Sequence, residues 1–199
     1  METETFEQVS DKETFLKLCR FHIHREGIND LLAWLERSDF FTAPASTRFH
    51  GNYEGGLCKH SLNVYHELSR LNDAYNTGFS EETIAIVALF HDVCKINFYK
   101  RGFRNVKDET TGQWYPKPIW EIDEKVPLGH GEKSCILLQW YIKLTMDELL
   151  AIRWHMGGFD SAVKGGDYSL SKAQDSSKLV TLLSVADLIS SNLLEETVE

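Results

Sequence analysis

Cysteine is scarce and dispersed in this 199-residue chain: Cys19, Cys58, Cys94 and Cys135 form no Cys-x-x-Cys pair. That spacing excludes a zinc knuckle and a disulfide framework and leaves ordinary reduced thiols, which suits the cytoplasm. Basic residues are outnumbered by acidic ones, 21 to 30, for a formal charge of −9. This balance argues against affinity for long nucleic acids, which draws mostly on basic surface, but it allows a small anionic substrate held through metal. No run approaches membrane-spanning length, and Met1-Glu2-Thr3-Glu4-Thr5 lacks the basic and apolar regions of a signal peptide. A soluble, cytoplasmic protein with no membrane partner is expected. Convincing internal repeats and low-complexity segments are absent, and nothing points to an oligomeric state. A single domain over residues 1–199 suffices, since a chain this long encloses a core and a buried polar site unaided.

What is present is organised around Ile84-Ala85-Ile86-Val87-Ala88-Leu89-Phe90-His91-Asp92-Val93-Cys94-Lys95. Ser80 as N-cap, with Glu81 and Glu82 in the first turn, opens a helix apolar enough to be buried nearly all round. His91 and Asp92 fall at its inner end. Ionisable groups there are costly unless compensated, and a cation compensates an imidazole beside a carboxylate.

Upstream, residues 10–36 read as two helices broken near Gly27, with Ser10 and Asn29 as N-caps. His22 and His24 lie on different faces there and are read as ordinary histidines rather than ligands. Residues 40–56 carry Pro44, Gly51, Gly55 and Gly56, a loop composition, and then His60 points inward from a helix through Leu57, Val64 and Leu68 while His66 faces water.

Downstream, residues 96–123 mix aromatics and charges around Thr110-Thr111-Gly112. Pro116 and Pro118 forbid a central strand, so a short β-hairpin projecting from a helical body is expected. Its aromatics are expected to pack on the body, with base stacking as the rarer use. His130 opens a helix running through Ile136, Leu137, Trp140, Tyr141 and Leu144, and His155 closes the next one, 146–155, before Gly157-Gly158. Residues 159–174 read as loop, and a last helix over 176–195 embeds Asp187 in an apolar stretch. The fold class is thus all-α, a helical bundle with a hairpin insertion around 96–123.

Taken singly, a helix-terminal histidine caps a dipole and a mid-helix aspartate faces water. Together, His60, His91, Asp92, His130, His155 and Asp187 put imidazoles at helix ends and carboxylates beside apolar runs, on helices that a bundle brings round one cavity. Such donors suit divalent Fe, Mn, Ni, Co or Zn, with Mg also open.

The order His60, His91-Asp92, Asp187 resembles the HD-domain superfamily of metal-dependent phosphohydrolases. Gly55-Gly56-Leu57-Cys58-Lys59-His60-Ser61-Leu62 looks like the family's Gly-Gly-Leu-x-x-His-Ser/Thr-Leu opening, and His91-Asp92-Val93-Cys94-Lys95 is similar to its frequent His-Asp-Ile-Gly-Lys, with Cys94 in place of glycine. The resemblance implies an HD-domain helical bundle in which His60, His91, Asp92 and Asp187 hold a first metal. His130 and His155 match the extra histidines of two-metal members, with Asp92 bridging. The Gly-Tyr-Pro signature of the cyclic-dinucleotide members is missing after Arg153-Trp154-His155-Met156-Gly157-Gly158, so that specificity is not assigned.

The expected activity is hydrolysis of a phosphomonoester or phosphodiester by a metal-activated water, with the resemblance supplying a nucleotide or short oligonucleotide as substrate. Asp92 and Lys95 are the catalytic candidates. Lys95 is placed to neutralise a phosphate oxygen, its plainer reading being a helix C-cap. Arg48 is a weaker substrate-binding candidate, and His50 is weaker again. The rivals are a di-iron HD-domain oxygenase and a non-catalytic nucleotide-binding protein.

Overall fold

The computed structural model describes residues 9–197, so the polar start at Met1–Thr5 lies outside the described residues. Helix α1 (Asp11–His22) begins with a reciprocal cap. The Ser10 hydroxyl accepts the Glu13 N–H, and the Glu13 carboxylate accepts the Ser10 N–H. Asn29, expected as the next N-cap, instead lies inside α2 (Ile28–Arg37), which starts from Gly27 at φ +85°. A Cβ at Gly27 would stand 1.9 Å from the Tyr141 carbonyl oxygen. Close chain packing, open only to glycine, therefore sets the start of α2.

After the loop, α3 (Gly56–Ala74) packs on α4 (Glu81–Phe90), which Ser80 caps as expected by accepting the Thr83 N–H. Ile84 through Phe90 are completely buried, and α1, α3 and α6 (Met146–Trp154) surround the helix. Each large apolar side chain there contributes about 1.5–3 kcal/mol relative to exposure. A 3₁₀ turn, Val93–Lys95, follows the His91-Asp92 pair.

The insertion is a hairpin, β1 (Tyr99–Lys107) paired antiparallel with β2 (Trp114–Ile122), in register from Tyr99↔Ile122 to Lys107↔Trp114. A two-stranded sheet leaves an open edge on each strand, which tolerates Pro116 and Pro118. Contrary to expectation, its aromatics do not all pack on the body. Phe98 at the base is buried, but Phe103, Trp114 and Tyr115 are exposed, because beyond its base the ribbon pairs only with itself.

Helix α5 (His130–Gln139) ends before Trp140, which is exposed, rather than running to Leu144. It packs on α6 at Gly131, where a Cβ would meet the Arg153 carbonyl oxygen at 2.0 Å. The expected loop over 159–174 is largely helical: a 3₁₀ turn Gly157–Phe159, then α7 (Ser161–Lys164) and α8 (Ser169–Ser176). Asp160 caps α7 through the Ala162 N–H, while Leu170 and Ala173 pack beside Trp154 and Val180, too few apolar positions to show as periodicity. The last helix, α9 (Lys178–Ile189), widens into a π turn over Ser190–Leu194. No single helix among the described residues is long and apolar enough to cross a membrane.

Candidate metal centre

Five elements deliver the site. His60 stands in the second turn of α3, His91 caps the C-terminus of α4, His130 opens α5, His155 caps the C-terminus of α6, and Asp187 lies in the last turn of α9. His60, His91, Asp92 and His155 are at most 3% exposed. His22, His24 and His66 lie outside the cluster, as expected; His22 Nε2 meets the Tyr65 hydroxyl at 3.1 Å.

The imidazoles are oriented through Nδ1. His91 Nδ1 donates to the Ala88 carbonyl at 2.8 Å and His155 Nδ1 to the Ile152 carbonyl at 2.7 Å. A carbonyl only accepts, so each neutral ring carries its proton on Nδ1 and turns the Nε2 lone pair inward. His60 does the same through the Glu195 carboxylate, 2.9 Å from its Nδ1. The inward nitrogens then crowd. His60 Nε2 lies 3.1 Å from His91 Nε2, two lone pairs that repel unless a proton or a metal cation sits between them. His155 Nε2 is buried with no hydrogen-bond partner.

Asp92 divides its oxygens. Oδ2 faces His91 at 3.5 Å, His60 at 3.7 Å and the Lys95 ammonium at 2.6 Å, while Oδ1 faces His155 at 3.4 Å and the Cys94 thiol at 3.7 Å. Asp187 Oδ1 lies 3.3 Å from His60 Nε2. Cys94 Sγ is 3.5 Å from His130 Nδ1, so Asp92, Cys94 and His130 form a group beside the one made by His91, Asp92 and His155.

The charges are strongly biased. Burial alone would raise the Asp92 carboxyl, but the Lys95 ammonium and the imidazoles hold it well below the usual range. Burial likewise opposes ionisation of Asp187, which His60 nevertheless keeps below its ordinary value. Burial depresses His91 to about 4, leaving it neutral. Against the same burial, the Asp187 and Glu195 carboxylates lift His60 to about 10. Buried carboxylates around inward-facing nitrogens, one of them without a partner, fit a divalent cation.

A family model for the HD domain matches residues 57–192. The chain belongs to the HD domain family. No curated protein and no solved structure matches it. The HD domain places the chain in a metal-dependent hydrolase-type superfamily, and its clustered His and Asp side chains fit a site for a divalent metal.

Within this HD domain the six ligands expected from sequence fall in overlapping groups of potential metal donors. Lys95, 8% exposed, reaches the cluster through Asp92 instead of merely capping a helix. Arg48 is exposed and stays outside the cluster, on the wall of a cleft beside the hairpin. Two residues carry more than sequence reasoning assigned them. Glu195, beyond the match, binds His60, and it was hidden because an acidic tail looks solvated. His50 has its ring 5.2 Å from that of His60 and groups with His60 and Glu195. Its loop gave no periodicity from which to infer a direction.

Proposed function

We propose that this HD domain is a two-metal phosphohydrolase, cleaving a phosphomonoester or phosphodiester of a nucleotide or short oligonucleotide. His60, His91, Asp92 and Asp187 would hold one ion, and Asp92, His130 and His155 the other. The observation that carries the reading is the split Asp92 carboxylate, whose two oxygens address separate donor groups while Lys95 adds a buried positive charge at one of them. Divalent ions bound there supply Lewis acidity, which activates a water and offsets charge on phosphate oxygens.

The chain's own residues do the rest. His91 and His155, locked onto backbone carbonyls, aim their Nε2 atoms inward without rearrangement. Glu195 fixes the His60 ring and strengthens it as a donor. Lys95, held by Asp92, keeps a fixed cation where the ester's non-bridging or leaving oxygen gathers charge. The Lys95 charge supports phosphate chemistry over the di-iron oxygenase reading, and the intact ligand set supports catalysis over a non-catalytic binding role.

Elemental analysis followed by a screen of phosphate esters with added Mn, Ni, Co, Fe, Zn or Mg tests the proposal. His91→Ala and Asp92→Ala are expected to lose metal and turnover, whereas Lys95→Ala keeps the metal and turns over more slowly. An Asp92→Ala protein with full metal content and wild-type turnover refutes the assignment. Dioxygen uptake with an organic substrate, or ester cleavage that stops under anaerobic conditions, establishes the oxygenase instead.

A further inference from the structure

A cleft of about 800 Å³ opens between the hairpin and the loop that carries His50. Arg48, Arg101, Arg104 and Lys117 line it, a concentration of positive charge in a chain whose formal charge is −9. The side chains of Arg48, Arg104 and Lys117 have no ion-pair or hydrogen-bond partner among the described residues. Arg104 and Lys117 also stand directly opposite each other across the strands, an arrangement of like charges that opposes pairing unless an anion lies between them. Glu121, a carboxylate in the lining, is engaged by Lys100 at 4.0 Å.

The cleft offers aromatic surface as well. The Arg101 guanidinium lies over the Trp120 ring, 3.6 Å from its centroid, and both residues line the cleft. Further along the hairpin Phe103, Trp114 and Tyr115 are uncovered. By register the Arg104–Lys117 pair and the Arg101–Trp120 pair leave opposite faces of the ribbon, so a ligand that meets both passes round its edge, which suits a flexible single chain that carries anions and flat rings. An acidic peptide or an inorganic polyphosphate would leave the rings unused, and a duplex keeps its base faces stacked away. The cleft also adjoins the metal centre in sequence: Arg48 lies two residues from His50, and Thr197 in the lining lies two residues from Glu195.

We infer that this cleft is a binding site for single-stranded oligonucleotide, with Arg48, Arg104 and Lys117 on the phosphates and Trp120 with Arg101 under a base. The inference deepens the phosphoester reading by naming a strand, rather than a mononucleotide, as the substrate, and it is tested without turnover. The measurement is fluorescence anisotropy of a labelled single strand of about ten nucleotides, titrated with the full chain after chelation of metal, over a series of salt concentrations.

The wild-type chain is expected to bind the strand more tightly than a nucleoside monophosphate or a duplex of equal length. Arg104→Ala with Lys117→Ala lowers affinity at least about tenfold and reduces the salt slope by about 1.4, the counterion release of two single-strand phosphates. Trp120→Ala weakens binding about tenfold and keeps the slope. Lys172→Ala, an exposed cation on α8 outside the cleft, changes neither. The inference is overturned by a double variant that binds with wild-type affinity and slope, or by Lys172→Ala losing as much. It is equally overturned by a strand held no more tightly than the monophosphate or the duplex, or by a dimer that covers the hairpin and binds no strand. Tight binding with no product released from any ester sinks the hydrolase reading and leaves the cleft standing; hydrolysis of a small aryl phosphate without strand binding does the reverse.

Discussion

His91 and His155 each cap a helix C-terminus, and each turns Nδ1 back onto the carbonyl three residues earlier. That bond satisfies a helix-end acceptor and selects the tautomer in one step. His60 lies inside its helix and cannot do this, so Glu195 takes the place of the carbonyl. Glu195→Ala is therefore expected to weaken metal binding about 10- to 100-fold while the fold persists, as measured by equilibrium dialysis. His155→Ala removes the buried nitrogen that has no hydrogen-bond partner, and on the proposed two-metal reading it is expected to cut bound metal from two ions per chain to one by elemental analysis. Retention of both ions would mean that His155 is a packing residue. His60, His91 and Asp92 were legible in sequence because their motifs sit on strongly periodic helices. Glu195 was not, since its partner lies 135 residues away and only folding brings them together.

At the scale of elements, the candidate ligands converge because helix ends are pinned to one another. Glu148 in the first turn of α6 is fully buried and accepts from both terminal nitrogens of Arg25, the Thr83 hydroxyl and the Thr145 N–H, tying the α1–α2 connection to the N-termini of α4 and α6. Arg25→Ala strands that carboxylate and is expected to cost about 3–5 kcal/mol in urea unfolding. Arg25 also holds Glu82. Burial opposes ionisation of Glu82, but the His24 N–H and the Arg25 guanidinium depress its carboxyl below 4.5. A depressed folded value means that this contribution is present above pH 4.5 and fades as pH falls through the lower folded value, so Arg25→Ala is expected to flatten the acid limb of a stability–pH curve. At the α5–α6 contact, Gly131→Ala drives a methyl into the Arg153 carbonyl. It is expected to cost about 1–3 kcal/mol and to lower occupancy at His130, its neighbour, more than at His60.

Across the whole molecule, a site assembled from α3, α4, α5, α6 and α9 does not exist in the unfolded chain, so metal binding is coupled to global stability. Free metal at 100 times its Kd adds about 2.7 kcal/mol, and chelation is expected to lower Tm by roughly 5–10 °C in calorimetry. An unchanged Tm would mean that the chain holds no metal to lose. By itself the sequence determined the buried α4, the hairpin and the candidate ligands borne by long apolar helices, because periodicity and capping are local properties written in neighbouring residues. Only the tertiary structure decided that Glu195 and His50 meet His60, and that residues 159–174 fold into short helices. It also decided that the flap leaves its aromatic rings and cations uncovered. Those outcomes depend on where distant backbone segments cross, which no local pattern encodes.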